Sequence, residues 1–464
     1  CKTDNKLFFE PAEHQIKVRD YFSESKYKGL LLFHKLGSGK TCTSILIADK
    51  LLKEKKISKV FLLTPGSLRG GWISEYCETC GYNKEYLKKY FTFITYNFNV
   101  YNIVKDMDFS NSLVIIDEAH NLLNGVKNKS ENVTGIYNKI CSSKCKVLIL
   151  SGTPIVHKIS EWYYLGNLLK PNTFKKDSLI INEKDLKGII SYFPGDKTMY
   201  PKVIHKDPIK VKMSEYQQTE YNSVYNREKN TFKPSESLRR TNFASYDKKL
   251  KAYIRAKKFE ASRRVSNFFY MNKIDKTKDN KTLPDFLAVK GGWVSDKSIK
   301  NKELLNCSVK FIAILLNISS NLNRKHVVFS WFKGKGGVEL LHTLLGKCGI
   351  KSSIFSGDLS DVKRKKLLDE FNSESNRNGE NITVLLLTDA GAEGINVLET
   401  NHIHLVESST NQKRILQVIG RVVRFKSHIK LPENRRYVKV WRYWSEGGKE
   451  EKCIDQKLYE DGLE

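Results

Sequence analysis

The run Leu30-Leu31-Leu32-Phe33-His34-Lys35-Leu36-Gly37-Ser38-Gly39-Lys40-Thr41 sets an apolar, strand-like stretch directly before two glycines, a lysine and a hydroxyl, and an apolar helical pattern, Cys42–Leu52, follows. Strand, glycine loop and helix in that order form a setting that holds phosphates. Gly37, Ser38 and Gly39 let consecutive backbone N–H groups close on an anion at a helix N-terminus, Lys40 brings a point charge to the β/γ-phosphates, and the Thr41 hydroxyl can ligate magnesium. The first glycine of the widest phosphate-loop pattern is replaced here by His34. Lys40 is followed 77 residues later by Asp117-Glu118-Ala119-His120, at the end of the apolar run Leu113–Ile116. Asp117 can hold the magnesium shell, and Glu118 can orient or deprotonate the water that attacks a phosphoryl group. An acidic pair at a strand end is as readily a plain turn, and the upstream phosphate loop is what favours chemistry. A third run, Val147–Leu150, ends in Ser151-Gly152-Thr153-Pro154. Such a turn can sense a γ-phosphate or transmit its loss, though it also spells an ordinary turn.

A second group lies far downstream: Thr388-Asp389-Ala390-Gly391-Ala392-Glu393-Gly394-Ile395-Asn396, then Gln417-Val418-Ile419-Gly420-Arg421-Val422-Val423-Arg424. Arg421 and Arg424, three apart, read as one helix face. They can neutralise charge on a phosphoryl group in transfer, as arginine fingers do. The alternative is a surface helix with two solvated arginines.

These residues need elements to position them. Short apolar runs at Leu30–Phe33, Val60–Leu63, Phe91–Ile94, Leu113–Ile116 and Val147–Leu150 alternate with helical patterns, and the rhythm returns at Val327–Phe329, Ser352–Phe355, Thr383–Leu387, His402–Val406 and Tyr437–Trp441. Continuous runs of this length predict strands of parallel sheets buried by helices on both faces. The expectation is an α/β chain of two parallel-sheet domains, 1–171 and 307–464, in tandem. Between them, 172–306 reads as a basic, largely helical insertion with helices near Ser214–Glu228 and Lys248–Phe269.

Composition agrees with a multidomain protein. The chain has 464 residues, of which 40% are hydrophobic, and Lys plus Arg exceed Asp plus Glu by 80 to 51 for a formal charge of +29. That excess favours a polyanionic partner, nucleic acid before membrane surface. No apolar run approaches the ~18 residues of a membrane span, and no charged-then-apolar leader opens the chain. The chain starts at Cys1, which reads as processing or a fragment. The nine cysteines read as free thiols of a reducing compartment, with a zinc site at Cys77/Cys80 and Cys141/Cys145 as a minor alternative because the second spacing is loose.

In order and spacing these motifs resemble the superfamily 2 helicase-type ATPases, which have two RecA-like domains. The resemblance spans residues 10–445 and includes a DEAH-type acidic motif. It implies that Gln15, 25 residues before Lys40, contacts the base of ATP; that Gly394 and Asn396 border the nucleotide; that Thr64, Pro65, Arg69 and Thr388 touch the nucleic acid; and that Ser151, Gly152, Thr153 and Gln417 couple the two. Ser151–Ile155 with Glu161 and Leu165–Pro171 is similar to Swi/Snf-type duplex translocases. Leu32-Phe33-His34, Ile190–Phe193, Met213–Gln217, Phe355–Asp358, Ala392–Ile395 and Arg424–His428 together resemble the poxvirus-type transcription ATPases. That group comprises nucleoside triphosphatase I, the early transcription factor small subunit, and relatives in large cytoplasmic DNA viruses and cytoplasmic linear plasmids.

The resemblance implies ATP and magnesium as cofactors, duplex DNA as track, an RNA polymerase or other transcription factor subunit as partner, and a cytoplasmic setting, viral factory or virion, with no membrane. ATP would be hydrolysed in the cleft between the domains. A strand-separating DNA or RNA helicase is the second reading, and a non-catalytic DNA-binding scaffold the third. The basic pairs Arg239-Arg240 and Arg263-Arg264 are expected to grip the duplex or dock a partner, or else to be a solvated helix face.

Overall fold

A strand covered on both faces needs an unbroken apolar run, and every run named above becomes a strand in a computed structural model of the chain, those inside the sheets being buried on both faces. The structure describes residues 10–35, 37–65, 69–95, 100–127, 130–152, 161–175, 181–195, 197–230, 259–269, 302–389, 391, 395–447 and 452–463. They fall into two units, Cys1–Lys197 and Thr198–Glu464.

The first unit holds β1 (Gly29–His34), β2 (Lys59–Thr64), β3 (Phe91–Thr95), β4 (Ser112–Asp117), β5 (Lys146–Ser151) and β6 (Ile190–Phe193), in the spatial order β3-β2-β4-β5-β1-β6. All pairs are parallel. Odd and even positions bury into different cores. Leu31, Val114, Ile116 and Ile149 face one, whereas Leu30, Leu32, Leu113, Ile115 and Leu148 face the other, which takes Ile45, Ile47 and Leu51 from the helix Lys40–Lys53. The register pairs Leu63 with Ile116, Asp117 with Leu150, and Phe33 with Ser151. Thr64, Asp117, Ser151 and the exit of β1 therefore share the carboxyl edge, the side on which such sheets take ligands.

The second unit carries β7 (Lys202–His205), β8 (Ile209–Lys212), β9 (Lys325–Ser330), β10 (Ser352–Phe355), β11 (Val384–Thr388), β12 (Thr400–Leu405) and β13 (Tyr437–Glu446). The order is β10-β11-β9-β12-β13-β7, with β8 also on β13, and the ladders are again parallel. Two RecA-like parallel-sheet units in tandem are thus the fold.

The stretch 172–306 differs from its expected form. Its described parts belong to the two units: β6 extends the first sheet beside β1, and β7 and β8 both pair with β13. These four-residue strands break their apolar residues with Ser191 in β6, with Lys202 and His205 in β7, and with Lys210 and Lys212 in β8, and they are only half covered, so they lack the apolar run that betrays an interior strand. The helix near 214–228 forms as Glu215–Asn230, and of 248–269 the structure describes Glu260–Asn267 as helix. Arg239 and Arg240 lie outside the described residues. Arg263 is corrected: it is buried rather than presented to a duplex. Arg263 is 4% exposed over the rings of Trp331 and Phe332, and Arg264 lies over Phe332, donates to the Gly334 carbonyl and pairs with Glu260. Planar guanidinium stacks well on aromatic faces.

The second sheet buries three histidines side by side: His326 on β9, and His402 and His404 on β12. Their nitrogens lie within 4.8 Å of one another, close enough for a metal. Hydrogen bonds favour a neutral relay instead. His326 Nε2 donates to the Asn321 carbonyl (3.0 Å), so His404 Nε2 donates to His326 Nδ1 (3.0 Å), and the Tyr443 hydroxyl donates to His404 Nδ1 (2.8 Å). Trp441 Nε1 donates to His402 Nδ1 at 3.1 Å, which leaves the His402 proton on Nε2. The lone pairs a metal would need are already accepting.

Burial holds His326 down at about 4 and His402 at about 2, and keeps His404 well below the ordinary histidine value as well. Unfolded histidine protonates near 6.5, so between that pH and about 4 the unfolded chain binds more protons than the folded one. The stabilisation is whole above about pH 6.5 and drains as pH falls toward 4. The melting temperature, read by circular dichroism, should drop by several degrees from about pH 7.5 to about pH 5. A flat profile would mean the trio is already charged in the fold.

Candidate nucleotide site

The phosphate loop is built by its backbone. Gly37 and Gly39 sit at φ 76° and 77°, in the left-handed region that glycine enters at little cost. At Gly39 the space also demands it, because a Cβ would lie 2.7 Å from Gln15 Nε2. Gln15 and His14, on the helix Glu13–Glu24, brace the loop: Gln15 Nε2 donates to the Gly39 carbonyl (3.1 Å), its Oε1 accepts from Ala12 N (2.9 Å), and His14 Nε2 meets the Ser38 carbonyl at 3.2 Å. His14 also stacks on Phe193 of β6 with centroids 3.8 Å apart. The edge strand therefore supports the loop, a role its sequence did not advertise. Lys40 opens the following helix, and its ammonium donates to the carbonyls of His34 (3.0 Å) and Lys35 (3.2 Å). Ser38 Oγ is buried with no protein partner, which leaves it for a ligand. His34, in place of the usual glycine, is fully buried against Ser191 at 2.9 Å and held at about 3 by burial, with the charges of His14 and Lys40 adding to it.

Asp117 is the last residue of β4, and Glu118 follows it at φ 50°. A non-glycine residue there stores backbone strain of about 1–3 kcal/mol, which the tertiary structure must sustain. Burial, and then the charge of Glu118, raise the Asp117 carboxyl to about 6, against the lowering pull of Trp72 and Lys40. Two carboxylates beside a lysine on one sheet edge call for a hard cation. Trp72, on the helix Arg69–Ser74, donates Nε1 to Asp117 Oδ2 at 2.9 Å and so fixes the carboxylate's orientation. The Asp117 carboxylate fits a magnesium ion by its chemistry, and such an ion would neutralise phosphate charge during transfer. Sequence reasoning missed Trp72, since an indole 45 residues from its partner carries no local signal.

Ser151 ends β5 and is 3% exposed, and Gly152 follows it; Thr153 lies outside the described residues. In the second unit, Thr388 ends β11, and its hydroxyl accepts from Gly391 N at 3.3 Å. Gly394 lies outside the described residues, while Asn396 is exposed. Asp389 is joined to the helix Gln412–Val422, where Arg414 donates Nε to Asp389 Oδ1 (2.6 Å), NH2 to its carbonyl (2.6 Å) and NH1 to Gln417 Oε1 (3.2 Å). Arg414, not singled out from the sequence, ties those two motifs together. The shared helix face expected for Arg421 and Arg424 is corrected: the helix stops at Val422, and Arg424 turns back to donate Nε to the Gly420 carbonyl at 3.2 Å.

Among the four nucleic-acid candidates, Arg69 is exposed and lies over the Phe93 ring, and Pro65 is half-buried. Thr64 and Thr388 are 0% and 7% exposed, because each terminates an interior strand. Neither threonine presents a surface to a nucleic-acid strand in this conformation. The cysteine expectation also changes. Cys42, in the first turn of the phosphate-loop helix, is disulfide-bonded to Cys80. That pairing removes Cys80 from any four-thiolate zinc site.

Two family models match the chain: the SNF2-related domain over residues 14–184, and the helicase conserved C-terminal domain over 308–426. A mimivirus protein (Acanthamoeba polyphaga mimivirus) named as a candidate ATP-dependent RNA helicase, R563, is 26% identical, the match covering 98% of this chain and 86% of the relative. Nucleoside triphosphatase I of Melanoplus sanguinipes entomopoxvirus is 27% identical over 91% of this chain and 71% of its own length. Among solved structures, the Sulfolobus solfataricus SWI2/SNF2 ATPase core in complex with double-stranded DNA matches over 96% of this chain and 91% of its own, at 16% identity and a TM-score of 0.36.

Proposed function

Because this chain is a superfamily 2 helicase-type ATPase related to the poxvirus-type nucleoside triphosphatases, we propose that it spends ATP on moving along duplex DNA in viral-type transcription, at initiation or transcript release, without parting the strands. The observation that carries the chemistry is the common edge of the first sheet, where the phosphate loop and Asp117-Glu118 end together. Phosphate oxygens take the place of the carbonyls that Lys40 now touches, and backbone N–H groups of Gly37–Gly39 and the Ser38 hydroxyl complete the cradle. Thr41 and Asp117 hold magnesium, Glu118 orients the water, and Arg421 and Arg424 act on the transferring phosphoryl group. Gln15 both shapes the loop and meets the base.

The SNF2-related match over 14–184 and the charge of +29 support a duplex track held through its phosphates. Phosphate contacts position without reading sequence, so promoter choice falls to a polymerase or factor subunit. Binding should weaken with salt at a log–log slope of about −0.9 per neutralised phosphate. An affinity indifferent to salt would rule this track out. ATP-driven displacement of a triplex-forming strand, with a forked duplex left intact, is the expected output. The name given to the mimivirus relative favours the other reading, strand separation; unwinding of the fork without triplex displacement would establish it.

A further inference from the structure

One short segment grips both halves of the nucleotide site. At its start, Trp72 donates to Asp117 Oδ2. At its end, beyond the π-helical turn Glu75–Thr79, Cys80 is bonded to Cys42, two residues after Lys40. Between them Tyr76 is buried against the rings of Tyr82 and Phe91, so the segment moves as a packed piece. The Cα atoms of Cys42 and Cys80 are 6.2 Å apart, within the span a disulfide allows. Both bonded residues are buried, at 2% and 8% exposure, whereas Cys77, three residues before Cys80, is half-buried and outside the disulfide.

We propose that Cys42, Cys77 and Cys80 form a thiol–disulfide exchange site that sets how tightly the phosphate loop holds nucleotide. The coupling to nucleotide rests on the ATP-site reading above. The oxidant is a small disulfide of the glutathione class. Cys77 sulfur attacks glutathione disulfide, and the first glutathione leaves with the Cys77 proton. Cys80 sulfur then displaces the second glutathione from Cys77, giving a Cys77–Cys80 bond. Cys42 sulfur finally attacks Cys80, which forms the Cys42–Cys80 bond and returns Cys77 to a thiol. Overall Cys42 and Cys80 lose two electrons and two protons, and one glutathione disulfide becomes two glutathiones. With the bond closed, the segment is tied to the phosphate-loop helix while Trp72 fixes Asp117. With it open, both anchors loosen and nucleotide is held less firmly.

The test uses the full chain equilibrated across glutathione to glutathione-disulfide ratios, alkylated and mapped by peptide mass spectrometry, alongside titration with a fluorescent ATP analogue and magnesium. Cys42 and Cys80 should be bonded at the oxidising end and alkylated at the reducing end, with a Kd several-fold weaker in the reduced state. Cys42→Ser should abolish that redox response. Cys77→Ser should slow bond formation several-fold yet reach the same bond. Alkylation of both cysteines at every ratio, an equal measurable Kd in the two states, or unslowed bond formation in Cys77→Ser would each overturn the proposal. Nucleotide binding in neither state would overturn the ATP-site reading along with it, an outcome distinct from equal, measurable affinities.

Discussion

Glu118→Gln is expected to lower ATP turnover by about 10²- to 10⁴-fold, the range for loss of a positioned proton acceptor. Nucleotide affinity should stay within a few-fold, because the amide keeps the size and the strained backbone position of Glu118 at φ 50°. Removing its charge also removes one of the two causes that lift Asp117, so Asp117 should hold magnesium at least as well. Lys40→Ala should behave differently. Its ammonium is the cation at the loop, so both binding and turnover should fall, and the vacated loop carbonyls of His34 and Lys35 are left without that donor. Equilibrium titration with labelled ATP and single-turnover hydrolysis separate the two effects. If Glu118→Gln hydrolyses at the parental rate, the water-activating role belongs elsewhere. If it loses binding as Lys40→Ala does, its role is structural.

How much of this was legible in the sequence follows from where the information sits. Interior strands announce themselves through runs such as Leu113–Ile116, since both faces are buried, and the residues just past those runs land on one sheet edge by the rule of parallel topology. Both sheets, and the placing of Asp117, Ser151 and the glycine loop on one edge, were therefore readable. The edge strands β3 and β10 were readable too, but the four-residue strands β6, β7 and β8 were not. Ile190–Phe193 faces one neighbour only, and its pattern is too mixed to separate from a loop, although Phe193 turns out to support His14 beneath the phosphate loop. Long-range polar pairs were equally silent: Trp72 with Asp117, Arg414 with Asp389, and Cys42 with Cys80 depend on tertiary distances that no spacing encodes. Arg263 misled because charge was taken for exposure. Aromatic surfaces of Trp331 and Phe332 bury it, and at 4% exposure it leaves little surface for a phosphate backbone. Thr64 shows a related limit, since a motif that marks the end of β2 fixes the position in the fold but not the exposure of the hydroxyl, which is buried without a protein partner.

Arg421→Ala and Arg424→Ala should each cut kcat by about 10³- to 10⁵-fold, the range for loss of an arginine finger, with little change in nucleotide affinity. A finger acts on charge that develops in transfer, so its loss falls on kcat rather than on ground-state binding. The surroundings allow this to be told from simple damage. The backbone carbonyl of Arg421 accepts from Val397 N at 3.1 Å, and that bond survives any side-chain change. The Arg424 side chain closes the helix end on the Gly420 carbonyl, and its backbone N–H donates to Ser427 Oγ. Arg424→Ala therefore carries a stability cost of about 0.5–1.5 kcal/mol for the lost hydrogen bond, and Arg424→Lys restores positive charge without the planar fork. Melting temperature and kcat should then part company. Arg421→Ala should be nearly inert at temperatures where it stays folded, whereas Arg424→Lys should recover stability but not turnover. If both arginine-to-alanine variants keep turnover within tenfold of the parent, neither residue stabilises the transferring phosphoryl group, and the helix Gln412–Val422 would serve only to join Asp389 through Arg414.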